Sequence, residues 1–209
     1  MRADTFFSEE EKERIHQAVL MAESKTSGEV VPMIVNVSAR YTEVELFGMV
    51  VGGTLGTLAT FYWHDPWGSQ LSHLWPMIGA ATGYLLCRIP LVKRRLLPRR
   101  RADEAVHERS LAAFIAEGLH YTRNHTGILI FISLFEHEVE VLADQGINEK
   151  VPASTWEEVV GIVTAGLKSG HACDGLCKAI TRCGEILSEQ FPRSPDDEDE
   201  LSNRLVTGN

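Results

Sequence analysis

The period of hydrophobic and polar positions changes several times along this chain, and each change marks an element. After Ser8 the pattern is helical: Ile15, Val19 and Ala22 recur on one face, and Ser8 with Glu11 makes an S-x-x-E capping box. That helix is expected to end near Ser27-Gly28. Glu29 to Val37 reads as a strand, with Pro32 pointing to an edge or a bulge because proline has no N–H for a ladder. Leu46 to Trp63 is eighteen residues without a charge, and Leu71 to Cys87 is a second such run of seventeen. A helical pattern returns over Arg101 to Tyr121, with Ala105, Leu111, Phe114, Ile115 and Leu119 as its apolar positions. Gly127 to Leu134 is almost continuously apolar, as in a strand covered on both faces. Phe135-Glu136 turns the chain, and His137 to Ala143 alternates as a further strand. Ser154 and Glu157 form a second S-x-x-E box before a helix, and a last helix is expected from about Ala172 to Gln190.

The two charge-free runs predict a transmembrane hairpin. At about 1.5 Å per residue the first spans about 27 Å, close to the hydrocarbon thickness of a bilayer. The connector His64 to Gln70 is short and polar, and Tyr62, Trp63, Trp67 and Trp75 stand where an aromatic belt would lie. Gly48, Gly52 and Gly56 recur every fourth residue, as do Gly79 and Gly83. Small residues at that spacing let helices approach closely, either packing the hairpin on itself or pairing with a second copy or another membrane protein. Residues 46 to 87 contain no Lys or Arg, whereas 88 to 109 carry eight basic residues against three acidic ones. By the positive-inside rule this places a two-pass protein in the inner (cytoplasmic) membrane with both termini cytoplasmic. The basic cluster is expected against anionic lipid headgroups.

The order helix, strand, hairpin, helix, strand, strand, helix, helix predicts one α/β domain interrupted by the hairpin. Its first two strands are parallel if they share a sheet, and the third is antiparallel to the second. The parts are residues 1–43, the hairpin and basic segment 44–97, residues 98–192, and an acidic tail 193–209 expected to be disordered around Asp196 to Glu200. These directions gather Gly28-Glu29, Arg123 to Gly127 and Asp144 to Asn148 at one end of the sheet. Ser38, Arg40, Glu136, His171 and Asp174 gather at the other. The net charge of −9 argues against nucleic acid as a partner. The spacing of Cys173, Cys177 and Cys183 fits no zinc module, so these and Cys87 read as small buried thiols.

Thr126 to Ser133, Glu136, and Ala143-Asp-Gln-Gly-Ile147 together resemble the TPM domain, in particular its bacterial integral-membrane branch. Ser27-Gly-Glu29, Gly161 to Gly170, Asp174-Gly175, Ala179-Ile180 and Phe191-Pro192 extend the resemblance over about residues 6–192. It implies a TPM-like α/β/α sandwich with a short mixed sheet. Some plant members of the family are described as acid phosphatases, and divalent metal binding occurs within it. Glu29 matches the acidic residue that opens the first strand, and Thr126-Gly127 the Thr-Gly or Asn-Gly before the second. Asp144 and Gly146 match the loop after the third strand, where other members carry Gly-x-Gly.

Glu29 and Asp144 are therefore the candidate metal ligands, for calcium or magnesium, because carboxylate oxygens suit hard cations. Arg123, Thr126, Gly127 and Gly146 complete the candidate site, with Arg123 facing an anionic group. Asp144 reads equally well as a turn residue accepting backbone N–H bonds, Glu29 as a strand-edge carboxylate, and Arg123 as a helix C-terminal cation. No Cys-x5-Arg or His-based phosphatase signature is present, and no catalytic residue is assigned. The leading expectation is a membrane-anchored, non-catalytic or metal-binding interaction module. The alternative is a divalent-metal-dependent phosphomonoesterase.

Overall fold

The computed structural model describes residues 2–62, 72–193 and 201–208. The elements are α1 (Glu9–Glu23), β1 (Glu29–Val35), α2 (Thr42–Tyr62), α3 (Trp75–Cys87), α4 (Pro90–Leu96), α5 (Arg99–Ala116), β2 (Gly127–Ser133), β3 (Glu138–Ala143), α6 (Gln145–Asn148), α7 (Ser154–Ser169), α8 (Ala172–Gln190) and β4 (Val206–Gly208). They fall into two compact units, residues 1–38 with 103–209, and residues 39–102.

In the first unit the sheet order is β3-β2-β1-β4. β1 runs parallel to β2 with Glu29 opposite Gly127, and β2 runs antiparallel to β3 with Ile128 opposite Ala143. Both arrangements follow the expected directions. Side chains alternate between the faces of the sheet. Val30, Ile34, Ile128, Ile130 and Ile132 pack against α1, α7 and α8, while Val31, Met33, Val35, Leu129 and Phe131 pack against Val106, Ala113 and Phe114 of α5. All seven positions of β1 and of β2 are buried, which explains their nearly unbroken apolar sequences. Each of these large side chains contributes about 1.5–3 kcal/mol when fully buried.

Local expectations meet mixed outcomes. The Ser8 capping box forms, with Glu11 N–H donating to Ser8 Oγ and Ser8 N–H donating to Glu11 Oε2. The second box does not form: Ser154 lies inside α7, whose N-cap Ala153 has no side chain to accept a bond. α5 begins earlier than expected and turns Val106 and Ala113 inward, leaving Leu111 and Ile115 exposed. Pro32 lies in β1 one residue before its pairing with β4 begins at Met33, so one side of the strand is still an edge there. The tail differs from its expectation as well. Residues 201–208 are ordered: Val206 to Gly208 pair in parallel with Met33 to Val35, and Leu201 and Val206 pack on the α5 side of the sheet. Apolar Leu201, Leu205 and Val206 give this segment something to bury. The acidic residues Asp196 to Glu200 lie outside the described residues.

In the second unit α2 and α3 pack antiparallel through their glycines. A Cβ on Gly52 would come within 2.1 Å of Gly79 O, and one on Gly48 within 2.6 Å of Gly83 O. Of the roles open to these glycines, packing within the chain is the one used. α2 is the one described helix long and apolar enough to cross a membrane, and only 17% of its apolar window is buried. α3 has thirteen residues, about 20 Å of helix, shorter than the run it was read from. Trp63, Trp67 and the connector His64 to Gln70 lie outside the described residues. Lys93 of α4 donates to Glu45 Oε1 at 2.9 Å, and Arg101 to Glu43 Oε1 at 3.3 Å. Two members of the basic cluster therefore neutralise acids in the first turn of α2.

Candidate functional site

The register brings the expected site residues to one end of the sheet. Glu29 N–H donates to Thr126 O at 3.1 Å, and Asp144 N–H to Gly127 O at 2.9 Å. Glu29, Gly127 and Asp144 thus stand in one row across β1, β2 and the end of β3. Thr126 is buried, donating its hydroxyl to Ser27 O and its N–H to Thr122 Oγ1. It ties the loops before β1 and β2 together. Gly127 and Gly146 are sites of close approach: a Cβ would lie 2.7 Å from Leu119 O at the first and 2.5 Å from Asn124 O at the second. Arg123 is exposed in the turn before β2.

Asp144 serves as N-cap of α6, its Oδ1 accepting from Gln145 N–H at 2.7 Å. Its Oδ2 lies 3.2 Å from His125 Nδ1. Sequence reasoning missed His125, although its place in the same turn as Arg123 and Thr126 was a usable signal. It has positive φ, which puts its ring out of the strand path.

Glu29 is buried, and it is separated from Asp144 by the whole width of β2, about 10 Å at two strand spacings. Among the described residues no group of three His, Cys, Asp or Glu side chains is placed to hold a metal ion. A shared calcium or magnesium needs about six oxygens within 2.6 Å. Glu29 and Asp144 do not fit such an ion, and no chemistry is derived through one.

A denser polar group occupies the opposite end of the sheet, between β3 and α5. His107 Nδ1 lies 2.6 Å from Glu140 Oε1, and Ser110 Oγ donates to Glu140 Oε2 at 2.6 Å. The carboxylate stands between hydroxyl and imidazole. The imidazole therefore cannot take the serine proton, and these three residues are not a nucleophilic triad. Glu138 lies two positions earlier on the same face of β3. Burial, then the neighbouring carboxyls of Asp103, Glu136 and Glu140, push the Glu138 carboxyl up to about 7. Glu136 accepts from Ser38 N–H at 3.0 Å and from Ser133 Oγ. Periodicity hid this cluster, because alternating Glu in an edge strand reads as a solvated face.

The remaining expected groups are structural. Asp174, in the first turn of α8, pairs with Arg14 Nη2 at 2.5 Å, and the guanidinium holds its carboxyl below the usual range. Cys87, Cys173 and Cys183 are buried and free, as expected of packing thiols, whereas Cys177 is free but only part-buried. Burial raises Cys173 and Cys183 to about 12, so neither is a thiolate nucleophile.

A four-stranded mixed sheet with helices on both faces defines an α/β sandwich. Residues 94–186 match the family model of the TPM domain. The fold is similar to the NMR structure of the BA42 protein from the psychrophilic bacterium Bizionia argentinensis, with a TM-score of 0.62 at 20% identity, covering 97% of this chain and 96% of that one. No curated protein matches the chain.

Proposed function

We propose that this protein is a membrane-anchored, non-catalytic TPM-domain module, with α2 and α3 lying in the inner membrane as a two-pass hairpin and both termini cytoplasmic. The observation that carries this reading is the outward face of the helix pair. Leu46, Phe47, Val50, Leu55 and Phe61 of α2, with Met77, Ile78, Leu85 and Leu86 of α3, are all at least half exposed. Apolar faces of this extent are stable in lipid, where water does not contact them. Because the glycines are engaged within the pair, a partner membrane protein or second copy would meet these larger side chains. The membrane branch of the family is part of the same proposal. The lack of a Cys-x5-Arg or His-based phosphatase signature in the sequence favours an interaction role over catalysis.

Membrane fractionation of the full chain tests this. It is expected to stay with the membrane through alkaline carbonate and salt washes and to be released by detergent. Release by carbonate would overturn the anchoring. The phosphomonoesterase alternative would replace the non-catalytic reading if the detergent-solubilised protein hydrolysed p-nitrophenyl phosphate only with calcium or magnesium and lost that activity in Asp144→Ala.

A further inference from the structure

The basic segment after α3 folds as a helix of its own. Pro90 opens α4 and holds Ile89 extended (φ −67°, ψ 123°), which interrupts the helix that ends at Cys87. Leu97, before Pro98, is extended in the same way (φ −69°, ψ 120°). Between these breaks Lys93 fixes the direction in which α4 faces. Its Nζ donates to Glu45 Oε1 at 2.9 Å and to Arg40 O at 2.7 Å. At about 3.6 residues per turn, Leu91 and Arg95 lie on the side roughly opposite Lys93, flanked by Val92 and Arg94. Leu91 has Arg94 at i+3 and Arg95 at i+4, so it stands between the two guanidinium stems. Leu91 is 77% exposed, and Arg94 and Arg95 are exposed beside it. With Val92 these three line an open-sided hollow of about 560 Å³.

We infer that this hollow binds an anionic glycerophospholipid of the cytoplasmic leaflet, with Arg94 and Arg95 on the phosphate oxygens and Leu91 against the start of the acyl chains. A leucine so exposed between two cations is unfavourable in water. At a bilayer interface the same arrangement is favourable, because the aliphatic groups enter the acyl boundary while the guanidinium heads stay among headgroups. Guanidinium matches phosphate oxygens through its fork of N–H donors. An open side suits a ligand whose chains remain in the bilayer. Apolar exposure continues along the chain through Ile89, Leu86 and Leu85 at the end of α3. Lys93 and Arg101 are engaged by Glu45 and Glu43, so neither is a phosphate ligand. The inference rests on the membrane-anchored reading of α2 and α3 and adds a ligand class to it. Charge alone places the whole basic cluster near headgroups, whereas the fold singles out two of its members.

Lipid binding to the full chain in detergent micelles tests the site, at about 0.15 M salt to screen diffuse attraction. The probes are phosphatidylglycerol and phosphatidylcholine with the same fluorescent acyl chain, and the readout is anisotropy. Phosphatidylglycerol is expected to bind about tenfold more tightly. Arg94→Gln with Arg95→Gln should abolish that preference. Arg99→Gln with Arg100→Gln removes the same charge from outside the hollow and should stay within about twofold of the unaltered protein. Equal binding of the two lipids, or equal losses in the two double variants, would overturn the site and leave only diffuse attraction. Displacement of the lipid by an equal concentration of glycerol 3-phosphate would overturn it as well, by assigning the hollow to a soluble phosphate ester. Thermal unfolding in the same micelles reports that each variant keeps its fold, and the two-lipid comparison on the unaltered protein decides independently of any variant. A chain that resists carbonate extraction but does not distinguish the lipids defeats this inference alone, whereas release by carbonate defeats the anchoring and the site together.

Discussion

At the residue scale the same short motif has opposite fates. Ser8 and Ser154 both open an S-x-x-E sequence, yet only Ser8 becomes an N-cap, because its backbone is extended (φ −66°, ψ 163°) and its Oγ reaches Glu11 N–H. At the second site Ala153 takes the cap position and is already helical. Ser8→Ala is therefore expected to cost about 1 kcal/mol, a fall of roughly 2–4 °C in Tm for a chain of this size. Ser154→Ala, with no cap bond to lose, should stay within about 0.5 kcal/mol. Thermal unfolding of the two variants side by side checks both. A similar contrast separates Thr126 from Asp144. Thr126 joins two loops from a buried position, whereas Asp144 divides its oxygens between a backbone N–H and His125.

At the element scale the helix pair makes the sharpest demand on sequence. Gly52 and Gly79 each place their missing Cβ against the other's carbonyl oxygen, at 2.1 and 2.2 Å. Any side chain there forces the two backbones apart. Gly53, next in the chain, has Ala80 Cβ at 3.5 Å as its nearest neighbour, an ordinary contact. Gly52→Leu is expected to raise hydrogen exchange throughout α2 and α3 by about tenfold or more in micelles, while Gly53→Ala leaves it unchanged or slower through better helix propensity. Equal behaviour of the two variants would contradict the packing. The glycine spacing was legible in the sequence. That the partner surface belongs to the same chain was not, because spacing defines a face and not what lies against it. The ordered tail has the same origin: Leu201, Leu205 and Val206 are unremarkable beside an acidic run until β1 offers an open edge.

At the scale of the whole molecule the acid cluster links stability to pH. The folded protein holds the Glu138 proton up to about pH 7, whereas an unfolded chain releases it near pH 4.5. Between these values the native state binds more protons than the unfolded state, so stability falls as pH rises. This contribution is fully present below about 4.5 and lost as pH passes through about 7. Chemical denaturation across that window should show the midpoint declining with pH in the unaltered protein and a flatter profile in Glu138→Gln. A midpoint that rises over the same range in both would show that other carboxylates dominate. The Arg14–Asp174 pair works in the opposite direction, adding stability at neutral pH that is lost only as acid protonates Asp174.

Most of the elements, the directions of the first three strands, and the end of the sheet where Glu29, Thr126, Gly127 and Asp144 meet were legible along the chain. Each of these follows from a local period or from connectivity, and both are written along the chain. Tertiary structure alone decided that Glu29 is buried with β2 between it and Asp144, that His125 faces Asp144, and that Ser110 meets Glu140 across 30 positions of sequence. Those are contacts between side chains whose own segments read as ordinary polar helix, turn and strand. Their energies depend on what each face is packed against, and only the folded sheet supplies that neighbour.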